Sequence, residues 1–120
     1  MIINPVMQTI GSSLNIPTYP DEMRPFANGG DYPVRFITYN ETDERPNLRG
    51  NNADICEGLT FQIHLFTKGS NPVAEKETLK AEIRKQGLSI QNNYTNYEQE
   101  TGYYHYVITC WTWDVIRKVN

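Results

Sequence analysis

Two histidines, two cysteines and one acidic group are the residues here whose types can do chemistry: His64 and His105, Cys56 and Cys110, and Glu41, Asp43, Glu44, Asp54 and Glu57. A structural zinc site needs about four imidazole or thiolate ligands brought together. Neither histidine has a close cluster of cysteines or carboxylates in sequence, so both read as surface or partner-facing side chains. Either cysteine can be drawn with a histidine as a nucleophile pair. No third residue orients the base, and no glycine-rich turn presents the sulfur. The acidic residues crowd one polar region without the spacing of a calcium-binding EF-hand, and read as solvated charge. The chain has no P-loop, no dinucleotide fingerprint and no nucleophile elbow. The expectation is no catalytic residue, no metal, no cofactor and no enzymatic activity.

The bulk numbers point the same way. The chain has 120 residues and a net charge of -3. That length predicts one domain over residues 1–120, burying roughly two-thirds of its unfolded surface. Hydrophobic content is 38% and mean hydropathy is -0.60, low for a self-sufficient globule. Eight tyrosines, four phenylalanines and two tryptophans, with clear periodicity, argue against disorder. No basic stripe or run of Lys and Arg marks a nucleic-acid binder. Met1-Ile-Ile-Asn-Pro lacks the basic start of a signal peptide. No segment approaches the ~18 apolar residues of a membrane span. The cysteines therefore read as two reduced, buried thiols, with a disulfide as the alternative.

Patterning supplies the elements. Val6, Met7, Ile10 and Leu14 recur at helical spacing behind Pro5, with Asn4 as N-cap, and predict a short N-terminal helix. Ile16–Pro20, with two prolines, belongs on a sheet edge or outside the sheet. Residues 21–32 form a loop around Asn28-Gly-Gly-Asp31. Pro33–Tyr39 is a strand with Val34 and Phe36 on one face, Ile37 and Tyr39 on the other. Residues 40–53 are polar and carry Pro46 and Gly50, so they read as a long loop. In 55–68, Leu59, Phe61, Ile63 and Leu65 alternate with Thr60, Gln62, His64 and Phe66, the clearest strand in the chain.

Asn71 as N-cap and Pro72 at the first turn open the main helix, about 72–86. Its narrow stripe is Val73, Leu79 and Ile83, flanked by Ala74 and Ala81. Gly87 ends it, with Leu88 folding back. Residues 88–94 form a strand and 97–102 a turn. The densely aromatic and β-branched stretch from Tyr103 to Val115 is the last strand. Helices after a run of strands predict α+β: a four- to five-stranded, mostly antiparallel sheet with the main helix across one face. Tyr94, Tyr97, Tyr103, Tyr104 and Tyr106 have three readings: sheet packing, a protein–protein contact, or stacking on single-stranded nucleic acid.

The order of pieces also resembles a known family. Tyr32-Pro-Val-Arg-Phe-Ile-Thr-Tyr-Asn40 is followed by a polar stretch with Asn52-Ala-Asp54, then Phe61-Gln-Ile-His-Leu-Phe-Thr-Lys68. A charged helix, Gly87, a strand and Tyr97-Glu-Gln-Glu-Thr-Gly-Tyr-Tyr-His-Tyr-Val-Ile108 come next. Over about residues 16 to 113 this resembles the tail-terminator and tail-to-head joining (neck) proteins of long-tailed phages. The resemblance implies a virion structural protein, assembled in the host cytoplasm, that forms a homo-oligomeric ring, usually a hexamer. Such a ring caps the tail tube and joins it to the head connector, and DNA passes through its lumen without specific binding. The two loops become candidate docking surfaces: Asn28 and Asp31 in the first, Arg45, Asn47, Arg49 and Asn51 in the second. Tyr97, Tyr103 and His105, on or beside the last strand, become candidate subunit contacts, with that strand's edge as the seam. Two other readings stay open: another neck or minor capsid component, and a monomeric ligand-binding α+β domain.

Overall fold

The computed structural model describes residues 3–20, 33–50 and 53–115, with 43–50, 53–57 and 113–115 described by backbone alone. The elements are α1 (Ile3–Leu14), β1 (Thr18–Pro20), β2 (Arg35–Gly50), β3 (Ala53–Lys68), α2 (Val73–Lys85), β4 (Ser89–Glu98) and β5 (Tyr103–Val115). The fold is α+β, with one five-stranded sheet in the order β1-β2-β3-β5-β4. All pairings are antiparallel except β1 with β2.

Alternation along the central strands places their largest apolar residues in two cores, one on each face. Ile37 and Tyr39 of β2, Phe61, Ile63 and Leu65 of β3, and Tyr106, Ile108 and Cys110 of β5 share one face. Both helices lie on that face, α1 through Ile3, Met7 and Ile10, and α2 through Leu79 and Ile83. Each such side chain contributes roughly 1.5–3 kcal/mol by leaving water. Tyr39 also donates its hydroxyl to Asn4 Oδ1 at 2.8 Å, tying α1 to β2. Asn4 thus lies inside the helix rather than capping it. The opposite face holds a small aromatic core of Phe36, Phe66 and Tyr103. Phe36 stacks on Phe66 with ring centroids 4.6 Å apart, and Tyr103 meets both edge-on.

Helix α2 starts and ends on different footings. Pro72 is the N-cap, with no side-chain hydrogen bond, so Asn71 does not play the predicted role. Val73 is 65% exposed, outside the stripe expected to include it. The C-terminus follows expectation. Gly87, at φ 82°, donates to Arg84 O, and Leu88 donates to Ile83 O while its side chain enters the core. These two bonds form a Schellman motif, which favours glycine at the left-handed position.

The main departure from expectation lies in the predicted 40–53 loop. Its described residues are strand: β2 runs on to Gly50, and β3 starts at Ala53, paired with it. A ladder bonds through the backbone, so polar side chains do not prevent it. The ladder carries register shifts at Glu41/Asp43, Pro46/Leu48 and Leu48/Arg49, and the shift at Pro46/Leu48 adjoins the proline, which cannot donate to the ladder. Sixteen residues in each strand, at about 3.3 Å per residue, match the 53 Å long axis. The radius of gyration is 16.0 Å, above the ~13–14 Å of a compact chain this long. Turn residues 97–98 likewise belong to β4, which ends at Glu98.

Candidate functional site

The groups with chemical potential gather on the face that carries the small aromatic core. Alternation along β3 puts His64 and Phe66 there, and the β3–β5 register sets His105 opposite Phe66. His105 therefore stands diagonal to His64, close enough to touch. His64 Nδ1 and His105 Nε2 are 2.7 Å apart, and His64 Nε2 is 2.9 Å from Asn40 Oδ1. Glu98 Oε1, on β4, lies 3.9 Å from His105 Nδ1. Asn40, His64, His105 and Glu98 thus form a row across four strands. The Phe66 ring stacks on His105 with centroids 4.2 Å apart.

The direction of donation along the row follows from which atom Asn40 presents to His64. With Asn40 Oδ1 accepting from His64 Nε2–H, neutral His64 presents a bare Nδ1, and His105 Nε2–H donates to it. His105 Nδ1 is then bare towards Glu98. A proton added there turns the 3.9 Å approach into an ion pair. The row contains no hydroxyl or thiol; its two imidazoles are the groups in it able to take up a proton.

The described thiol adds no reactive sulfur. Cys110 is free, lies fully buried in the main core, and is pushed by burial from 9.0 up to about 12. Thiolate, the reactive species, is suppressed there. Cys56 and the acidic side chains from Asp43 to Glu57 lie outside the described side chains. Among the described residues, no group of three or more His, Cys, Asp or Glu is placed to hold a metal ion.

The predicted contact residues separate by burial. Tyr97 is 53% exposed and stacks at a tilt on Tyr104, with centroids 4.8 Å apart. Tyr103 is 7% exposed and donates its hydroxyl to Pro33 O at 2.7 Å, so its surface is spent inside the fold. His105 is part-buried in the row described above. Arg45, Asn47 and Arg49 lie on the distal half of β2 rather than in a loop. Asn28, Asp31 and Asn51 lie outside the described residues, as does the predicted 21–32 loop. The expected seam needs correction: β5 is interior, flanked by β3 throughout and by β4 from Tyr103 to Trp111. Among the described residues, the free edge on that side of the sheet is β4.

Sequence reading missed Asn40 and Glu98 as partners of the histidines. Register between strands carries that relation, and no local pattern reports it. A surface hollow of about 330 Å³ lies between α1 and the turn into β1, lined by Gln8, Ser12, Asn15 and Thr18 among others. It gathers no titratable group. No described helix is long and apolar enough to cross a membrane. No protein-family model matches the chain, and no curated protein matches its sequence.

Proposed function

We propose that this chain is a structural subunit of the phage head–tail junction, most closely a tail terminator. It acts by stoichiometry rather than chemistry. A closed ring of copies, a hexamer in the first instance, occupies the end of the tail tube and blocks further tube subunits. Its other surface receives the head connector, and DNA crosses the lumen without specific contacts. The virion is then its location.

The observation that carries this reading is the order of sequence pieces from Tyr32 to Ile108 set out above. One structural feature supports it. The β2–β3 ribbon gives an elongated subunit, 53 Å on its long axis, with a reach beyond a compact globule. An acidic chain at -3 suits a passage that must not hold DNA by its phosphates.

Light scattering with negative-stain imaging of the same fractions tests it. Rings of about six copies with a central hole are expected, alone or on adding purified tail tubes. Failure to form rings in either condition, or failure to cap tubes, sinks the proposal.

A further inference from the structure

We propose that β4 is a strand-addition edge, and that its occupant is β4 of a second copy of this chain, paired antiparallel about a two-fold axis. The strand ends the sheet and runs ten residues, Ser89–Glu98. None of the ten is buried, and Tyr94 and Tyr97 are 50% and 53% exposed. Among the described residues, no strand pairs with its outer side. Half of its backbone donors and acceptors therefore face outward, a template for another strand.

The two sides of the sheet differ in how they treat this hazard. On the far side, β1 is three residues long and ends in Pro20. Beyond it, β2 carries Pro46, three register shifts and the charged residues Glu41, Asp43, Glu44, Arg45 and Arg49. Short strands, prolines, bulges and charge are the devices that block edge pairing. From Ser89 to Tyr97, β4 has no proline, no glycine and no charge, and its single register shift sits at Ile90/Asn92 near its start. One side is blunted and the other is left open.

The chemistry of β4 selects a like strand. Gln91, Asn92, Asn93 and Asn96 each donate and accept through one amide, so the segment complements itself. It offers a charged peptide no partner before Glu98. Antiparallel pairing about a two-fold also sends the two Glu98 carboxylates to opposite ends of the seam, whereas parallel stacking brings them together. This pairing goes beyond the ring proposed above, whose closing contact is head-to-tail. Pairing by β4 is isologous, and joins two subunits or two rings.

Sedimentation of the full chain over a wide concentration range, with two sets of variants, tests it. Tyr94→Lys with Asn96→Lys puts like charges on one face of the seam at exposed positions. It should weaken pairing at least tenfold while circular dichroism and the melting temperature stay unchanged. Single cysteines at Asn92, Asn93, Tyr94 and Thr95, in a Cys56→Ser background, should oxidise to covalent dimers, with one position clearly fastest. If rings form, the lysine pair should halve a double ring to a single one. A wild type that neither dimerises nor forms double rings overturns the proposal. So does association that the lysine pair leaves intact, including single rings that it does not alter, and in that case the ring reading stands. Absence of rings both alone and with added tail tubes, together with β4-dependent dimers, keeps this inference and removes the other.

Discussion

His64 Nδ1 and His105 Nε2 face one another at 2.7 Å, and one proton serves both nitrogens. Each ring meets a different strand on its far side, His64 through its 2.9 Å contact with Asn40 Oδ1 and His105 with Glu98 Oε1 3.9 Å from its Nδ1. The interaction is a pair property, so single and double substitutions should not add. His64→Ala and His105→Ala should each cost about 1–2 kcal/mol, and the double variant should cost less than their sum by about 0.5–1.5 kcal/mol. Urea unfolding of the four proteins measures the cycle. Additivity within about 0.3 kcal/mol would show that the close approach contributes nothing.

Alkaline stability should depend on Cys110. Burial raises its pKa from 9.0 to about 12, so the folded chain keeps a proton that the unfolded chain releases. The sign follows directly: the stabilisation is complete below pH 9 and is lost as pH rises from 9 towards 12. Across that window this one group should lower stability by about 1.4 kcal/mol per pH unit. Tyr106, also raised by burial, adds in the same direction above pH 10. Cys110→Ala should be less stable at neutral pH, because a core atom is lost, yet show a shallower decline above pH 9. A parallel decline in both proteins would contradict the assignment. Thiol reagents should label Cys110 only after unfolding.

How much of this was legible in the sequence depends on whether the signal was local. The alternation of Leu59, Phe61, Ile63 and Leu65, the helix stop at Gly87 and the edge placement of Pro17–Pro20 all come from neighbours in the chain, and the fold class followed from them. Residues 40–50 were misread because their polarity and Pro46 resemble a loop, while the partner that makes them a strand, 53–62, supplies the hydrogen bonds from elsewhere. The interior position of β5 was hidden for the same reason: nothing in Tyr103–Val115 says which strands flank it. The histidine row needed the register of four strands, the least local information of all.

The two ends of α2 should respond unequally to substitution. Asn71 has the residue type of a cap but makes no cap bond, so Asn71→Ala should change stability by less than about 0.5 kcal/mol, against the roughly 1 kcal/mol typical of a working cap. Gly87 holds φ 82° inside two end-of-helix hydrogen bonds. Gly87→Ala should cost about 1–2 kcal/mol, the strain of a Cβ in the left-handed region. Thermal melts of the two variants give the comparison. A larger loss from Asn71→Ala than from Gly87→Ala would reverse the account of both ends.

Gly11 sets how closely α1 approaches the start of the sheet. A Cβ built there meets the Thr18 hydroxyl head-on, with Thr18 Cβ at 2.8 Å and Ile16 O at 3.2 Å. Thr18 cannot yield cheaply, since its hydroxyl bonds Ile16 O at 3.0 Å and its strand is paired to β2 at Ile37. Backbone must therefore move, carrying β1 away from α1. Gly11→Ala ordinarily gains helix propensity, about 1 kcal/mol in an open helix. Here it should instead destabilise by about 1–3 kcal/mol, as overpacking does. The loss should appear as faster amide exchange in Thr18–Pro20 and in the first residues of β2, with β4 and β5 unaffected. A stabilised Gly11→Ala protein would mean that α1 stands farther from β1 than the contact at Thr18 requires.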